Sequence, residues 1–518
     1  MTTHPPHKQF HRAEPLSGGK PHAIVIGAGF GGLAAAVRLG VRGYRVTVLE
    51  KLEQAGGRAS VFRQDGFTFD AGPTIITAPF ILEELWTICG KRMEDHVKLA
   101  PMDPFYRIRF DDGTWFTCNG DADFMRSEIA RFNPDDVKGY EMFFEESKNN
   151  YSLGFGLMDR PFHKLIEMLK FVPELVTKRA DRTVYGHVAK HIKNEKLRQA
   201  LSFHPLFVGG NPMNVTSVYS LIAYLEREYG VHFAWGGTGA LVQGMVDLIE
   251  DQGSKVRTNA PVAELMLEGD KAVGVKLNDG EEVRADVIVS NADSNWVYRN
   301  LLPKRKKRRW TERKLDRTNF SMSLFVWYLG TDKRFEDVDH HTILMGPRYG
   351  GLLKDIFKRK VLADDFSLYL HRPTATDPSL APEGCDTFYV LSPVPHLDAD
   401  VDWETQAEPY RRKIEAHLEK TIMPGLADSV VTSKIFTPLD FRDRLNAPNG
   451  AAFGPEPLFT QSGWFRPHNV SEEVENFYLV GATTHPGAGV PGVVTSAKVL
   501  DSVIPHADEI EARRATYG

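Results

Sequence analysis

The sequence predicts an α/β protein of several domains, one of them assembled from segments far apart in the chain. Three observations carry that expectation. Residues 22–51, HAIVIGAGFGGLAAAVRLGVRGYRVTVLEK, read as strand, glycine turn, helix and second strand. The same order returns near the C-terminus, where FYL leads into VGATTHPGAGVPGVV at 480–494 and an apolar run follows. The 518 residues also exceed the roughly 250–300 that a single hydrophobic core sustains.

In chain order, residues 1–21 are polar and proline-containing and are expected to form a flexible extension. Residues 23–26 make a short buried strand. Gly27, Gly29 and Gly32 then form GxGxxG, the helix 33–43 follows, and a strand at 44–49 ends on Glu50. The first glycine permits the turn, the second lets the backbone approach a pyrophosphate, and the third lets helix and strand pack closely. An acid at the position of Glu50 suits a ribose diol and disfavours a 2′-phosphate. AGGRAS follows at 55–60, and Gly57 and Arg58 are expected to continue along the cofactor's phosphates. The strand end and rigid turn at Asp70–Ala71–Gly72–Pro73 come next.

Residues 131–229 look mostly helical. Within them 161–182 reads as a basic amphipathic helix, with Leu165, Leu169 and Val172 on one face flanked by Lys164, Lys170, Lys178, Arg179 and Arg182. It suits either a bilayer surface or the protein's own core. Residues 235–267 read as a glycine-led helix and a strand. Asp279 and Gly280 mark a hairpin, and 286–290 returns a buried strand. Residues 320–330, 366–370 and 387–391 are expected strands of an antiparallel sheet, the first by alternation. PKRKKRRWTERK at 303–314 reads as a nucleic-acid or nuclear-localisation patch, a solvated loop, or a site of attraction to anionic lipid.

Composition narrows the function classes. A net charge of −5 argues against wholesale nucleic-acid binding. Cys89, Cys118 and Cys385 are odd in number and form no CxxC, so neither a disulfide framework nor a zinc site follows, and no metal is expected. No apolar run reaches the roughly 18–20 residues of a spanning helix, and the N-terminus lacks the apolar core of a signal peptide.

The set GxGxxG…E, GGR and DAGP resembles the flavin amine oxidase and carotenoid desaturase superfamily. Longer segments, among them SFHPLFVGGNPMNVTSVYSLIAYLEREYG, FRDRLNAPNGAAFG and QSGWFRPHN, resemble the bacterial-type phytoene desaturases from residue 23 to 500. The resemblance implies a Rossmann-like FAD domain from 22–105, 230–300 and 472–510, a substrate domain from 106–130 and 301–471, and a helical membrane-associated domain at 131–229. It implies non-covalent FAD, with Val262 near the adenine and Gly481 and Ala482 near the ribityl and pyrophosphate. Gly489, Val490 and Gly492 would bring a helix N-terminus to the flavin ring. Thr483 departs from the family's usual glycine.

The reaction so implied is stepwise desaturation of phytoene, hydride to flavin and proton lost, toward zeta-carotene, neurosporene or lycopene. Oxygen or quinone would be the electron acceptor. Another acyclic carotenoid, a hydroxylated or methoxylated one included, is an alternative substrate. A non-catalytic lipid carrier, an amine oxidase and a protoporphyrinogen oxidase are the competing classes. A match to a carboxylate and a basic residue of the family makes Glu167 and Lys170 the candidate acid–base pair; His371, Arg372 and His485 are further polar candidates read as structural. A lipid-soluble substrate makes the lipid readings of 161–182 and 303–314 the preferred ones and predicts a monotopic enzyme on the cytoplasmic face of the membrane.

Overall fold

The computed structural model describes residues 19–177, 180–303 and 307–517. Most of the expected N-terminal extension lies outside them, as do Lys178, Arg179, Lys304, Arg305 and Lys306.

A parallel sheet of five strands carries the first motif. Its order is Phe477–Leu479, Val287–Ser290, β1 (His22–Ile26), β2 (Arg45–Leu49) and Lys255–Arg257. Every residue of β1 and of Val287–Ser290 is buried, as suits strands covered on both faces. The helix α1 (Phe30–Val41) follows β1 and packs between Thr238–Asp251 and Val490–Lys498. The last strand and helix of the motif pair thus come from the C-terminal end of the chain and close the layer begun at its N-terminus.

The second sheet has seven strands in the order Val430–Phe436, Ser323–Thr331, Asp386–Val394, Leu368–His371, His341–Leu344, Tyr106–Arg109 and Trp115–Cys118. The three expected strands pair antiparallel, and the sheet as a whole is mixed only where His341–Leu344 pairs parallel with Tyr106–Arg109. The expected in–out alternation of 320–330 also fails. All nine residues of Ser323–Thr331 are buried. Phe325, Trp327 and Leu329 pack on the helix Trp403–Thr421, while Leu324 and Val326 face a cavity on the other side. A central strand covered on both faces has no polar side to display.

The region 131–229 is mostly helical: Val137–Met158, Leu165–Leu169, Val172–Thr177, Val184–His191, Glu195–Ser202 and Leu221–Tyr229. The single amphipathic helix expected over 161–182 is instead two short helices with a turn at Phe171. Pro173 has no N–H to donate to the carbonyl four residues back, so the ladder stops and restarts. The basic segment is also bound down where it is described. Lys307 pairs with Glu312 and Arg308 with Asp270, and Glu473 accepts the backbone N–H groups of Arg308, Arg309 and Trp310 at 2.6–2.8 Å. Trp310 is buried and stacks on Tyr298 with an interplanar angle of 7°.

Candidate active site

The two glycine-rich turns meet. A Cβ on Gly31 would stand 3.0 Å from the Cα of Gly481 and 2.6 Å from Asn291 Oδ1, so α1 and the C-terminal turn approach as closely as backbone allows. Gly32 serves packing, since its Cβ would lie 2.0 Å from the carbonyl oxygen of Gly27. Gly481 donates its N–H to Ser496 Oγ at 2.7 Å, which ties the turn to the following helix. Gly32 and Gly481 therefore build the cradle from behind. Gly27, Gly29, Gly57, Val262, Gly489, Val490 and Gly492 line it. Thr483, where the family resemblance leads one to expect glycine, is buried and accepts the N–H of Ser294 at 2.9 Å.

Glu50 lines the cradle at the end of β2 and is 5% exposed. Its Oε2 accepts the Ala28 N–H at 2.7 Å and its Oε1 the Leu52 N–H at 2.9 Å. The carboxylate thus fixes the first turn from its place on the cradle wall. Arg58 donates from Nε to the Ala452 carbonyl at 2.7 Å and leaves Nη2 without a partner.

Sequence reading passed over two charged residues: Asp293 lines the cradle, and Arg466 holds the C-terminal turn from behind it. Asp293 follows the strand Val287–Ser290; its Oδ1 caps the next helix through the N–H groups of Asn295 and Trp296, and its Oδ2 has no partner. Burial pushes its carboxyl up to about 6, against the opposing pull of Arg58 and the two backbone donors. Arg466 is 1% exposed and donates to the Ala482 and Pro455 carbonyls at 3.1 and 3.3 Å; its Nη1 is unpartnered and stands 2.9 Å from where a Gly487 Cβ would be. The polar residue following a buried strand next to β1 was a signal for Asp293. Arg466 carries no local signal.

The unpaired Arg58 and Asp293 atoms, the acid on β2 and two helix N-termini at one cleft fit a dinucleotide bearing a redox ring. Val490–Lys498 presents its first turn to that cleft, beginning at Gly489.

Beyond the cradle the same cavity, about 1000 Å³ in all, continues between the seven-stranded sheet and the helical region. That is the upper end of the roughly 300–1,000 Å³ common for small-molecule sites. Its walls there are apolar, with Phe203, Leu206, Met322, Leu324 and Leu352 among them. His485 lines the cavity and holds the Leu157 carbonyl at 2.9 Å; burial pulls its imidazole down to about 4. His371 and Arg372 are buried, and Arg372 donates from Nε to Asp386 at 2.9 Å. Glu167 and Lys170 do not join this site. Glu167 accepts the Lys164 N–H at 3.3 Å, Lys170 is exposed, and neither lines the cavity, although their neighbours Met168 and Phe171 do.

Residues 30–499 match the family described as flavin containing amine oxidoreductase. The chain is 51% identical over 498 residues to the phytoene desaturase (neurosporene-forming) of Cereibacter sphaeroides, covering 95% of this chain and 96% of that protein. It is 49% identical over 476 residues to the phytoene desaturase (lycopene-forming) of Pantoea ananas, covering 92% and 97%. An oxidoreductase from Methanosarcina mazei has a similar solved structure, with a TM-score of 0.63 over 93% of this chain and all of that one; at 18% identity the likeness concerns the fold. A flavin-containing family and a dinucleotide cradle together make the cofactor FAD. Its two glycine turns closed over one cradle and its match to relatives from end to end place this chain in the flavin containing amine oxidoreductase family, within the phytoene desaturases.

Proposed function

We propose that the protein is an FAD-dependent desaturase that removes hydrogen stepwise from phytoene in carotenoid biosynthesis. The observation that carries this reading is the single cavity that runs from a charged cofactor cradle into apolar walls. Phytoene has no polar handle, so only burial can hold it, at about 25 cal/mol per Å² of apolar surface removed from water.

Bound FAD, held non-covalently, supplies the hydride acceptor. The chain supplies the rest. The apolar walls exclude water and align the hydrocarbon with the cradle. The first turn of Val490–Lys498 directs its free N–H groups and positive dipole end at the cradle, where negative charge is best accommodated. Once a substrate carbon has lost its hydride, the neighbouring C–H is strongly acidic, and a weak base suffices to take its proton. We assign that role to Asp293, which lines the cavity and keeps Oδ2 without a partner while Oδ1 caps the next helix, and whose carboxyl is pushed up to about 6.

The exposed apolar side chains of the two short helices support a membrane-surface location. Leu165, Ile166, Leu169 and Val172 are 39–59% exposed, while Met168, Phe171 and Leu175 of the same segment line the cavity. Phe459, 44% exposed, lines it as well. An apolar patch on the outside of a cavity wall is the arrangement that lets a bilayer-dissolved hydrocarbon enter without crossing water. No helix among the described residues is long and apolar enough to cross a membrane. Attachment to one face, the cytoplasmic one, is part of the proposal. Lys307, Arg308 and Arg309 contribute little to that attachment, being engaged by acids of the protein itself.

The test is expression in a phytoene-producing host with chromatography of the pigments. Conversion of phytoene to conjugated products supports the reading and identifies how many double bonds are introduced. Unchanged phytoene beside a yellow, FAD-loaded protein overturns phytoene as substrate. A colourless protein that cannot be reconstituted with FAD indicates a lipid carrier.

A further inference from the structure

Three buried histidines converge behind the cavity wall. His340 and His341 lie at the start of one strand, and His371 ends its neighbour, directly across from His341. They are 8%, 1% and 1% exposed. One ring nitrogen from each lies within 4.8 Å of the other two. The rings of His341 and His371 stack at 5.3 Å, and His340 meets both edge-on at 4.4 and 4.9 Å.

The hydrogen bonds around the cluster all point outward. His340 Nδ1 meets Thr376 Oγ1 at 2.6 Å, and His341 Nδ1 meets the Tyr369 hydroxyl at 2.7 Å. His371 Nε2 stands 3.7 Å from Asp70 Oδ2. His340 Nε2, His341 Nε2 and both ring nitrogens of His371 have no hydrogen-bond partner. A neutral imidazole has one donor and one acceptor nitrogen, and buried ones are normally both satisfied. A bare nitrogen on each of three clustered rings calls for a common partner that accepts electron pairs.

We propose that His340 Nε2, His341 Nε2 and His371 Nδ1 bind one divalent first-row metal ion, zinc by preference, with a water as the fourth ligand and Asp70 behind His371 on its other ring nitrogen. Three imidazoles without a thiolate suit that class of cation. The outer partners are those a metal-bound imidazole requires: a hydroxyl or carboxylate on the other nitrogen, which sets the tautomer and the ring's direction. Nitrogens on one tetrahedral zinc at about 2.0–2.1 Å stand about 3.4 Å apart, so ring rotations of modest size close the observed spread. The nearby Arg372 guanidinium is occupied by Asp386 and does not compete for Asp70.

The site joins separate parts of the molecule. Asp70 ends the strand Phe67–Asp70, and its Oδ1 accepts from the backbone and hydroxyl of Thr238, at the start of the cradle helix Thr238–Asp251. Tyr369 reaches Thr74 at 2.9 Å, and Thr74 reaches Tyr389 at 3.0 Å; all three line the cavity. A metal there would pin the substrate sheet to the cofactor layer and hold the cavity wall in register. The role is structural and is independent of which hydrocarbon is the substrate.

The test uses tag-free, full-length, FAD-loaded protein purified without chelator. Elemental analysis should find about one zinc per chain. Protein stripped with chelator and given cobalt(II) should develop the visible bands of four-coordinate cobalt, to the red of the flavin, and zinc should displace them and raise the melting temperature. His340→Gln and His371→Gln should each lose the metal. Because either variant could fail to fold, the zinc-dependent melting shift of the parent is the fold-independent reading. A parent with full FAD but no stoichiometric metal, no cobalt bands and no melting shift overturns the proposal, leaving a water-filled histidine cluster. Variants that fold and keep the metal overturn it too.

Discussion

Asp293 and Glu456 are carboxyls that the fold holds in their neutral form more readily than water does, with different consequences. For Asp293, pushed up to about 6, the ionised form is the proposed base, so turnover should rise as pH passes through that value. Asp293→Asn keeps a good helix cap, so the cradle should stay folded, and with FAD loading measured alongside the FAD-loaded fraction should lose on the order of 10²-fold or more in kcat, the usual worth of a positioned base. Parent-like turnover in this variant removes Asp293 from the chemistry. Glu456 is buried with Oε1 unpartnered, and burial raises it from 4.5 to about 7. A raised carboxyl favours folding fully below its unfolded pKa and loses that contribution as pH climbs through its folded pKa. Glu456→Gln cannot ionise. Relative to the parent it should gain on the order of 2–3 kcal/mol between about pH 4.5 and about pH 8, read from denaturant midpoints. A difference that stays constant across that window refutes the assignment. Neither acid was visible in the sequence, whereas Gly27, Gly29 and Glu50 were. The latter owe their geometry to a local strand–turn–helix spacing. Asp293 and Arg466 are 173 positions apart and meet only after the sheets form. His340 and His341 are likewise separated from His371 by a whole strand connection.

The two short helices at 165–177 show where periodicity succeeds and where it misleads. Leu165, Leu169 and Val172 keep helical spacing, and their exposure agrees with an apolar stripe turned outward. Periodicity did not register that Pro173 breaks the ladder, nor that the opposite side of the same segment is equally apolar and lines the cavity. Strand Ser323–Thr331 misled in the opposite sense, its pattern suggesting a polar side that a second packed layer removes. If the exposed stripe docks on lipid, replacing Leu165, Leu169 and Val172 together with serine should abolish most flotation with anionic liposomes. Activity on bilayer phytoene should fall in step, while FAD content and melting temperature stay near the parent's, because side chains already in water contribute little to folding. High salt should release the parent only in part, since burial of apolar surface is not screened. A triple variant that folds, keeps FAD and floats like the parent would place the anchor elsewhere.

At the scale of the molecule, the chain's two ends must meet before the cofactor can be held. The strand Phe477–Leu479 adds to the edge of Val287–Ser290, and the helix after it packs on α1. The contact between Gly31 and Gly481 is where that closure is tightest, and both partners there are backbone. This makes Gly31→Ala a probe of closure itself. Alanine favours the helix by about 1 kcal/mol over glycine, so α1 should form at least as well as in the parent. The added methyl, however, would sit 3.0 Å from the Gly481 Cα and 3.1 Å from its nitrogen, and neither can rotate away. The relief available is a shift of the C-terminal turn outward, carrying Ala482, Gly489 and Val490 from the cradle they line. FAD affinity of the reconstituted protein should therefore fall, and hydrogen exchange at Phe477–Leu479 and Val490–Lys498 should quicken, while β1 and β2 stay protected. Gly481→Ala probes a different contact, since its Cβ would stand 2.4 Å from Asn291 Oδ1, with additional strain from its φ of +95°. If Gly31→Ala binds FAD like the parent and exchange at the C-terminal elements is unchanged, the approach of the two turns is not what closes the cofactor site.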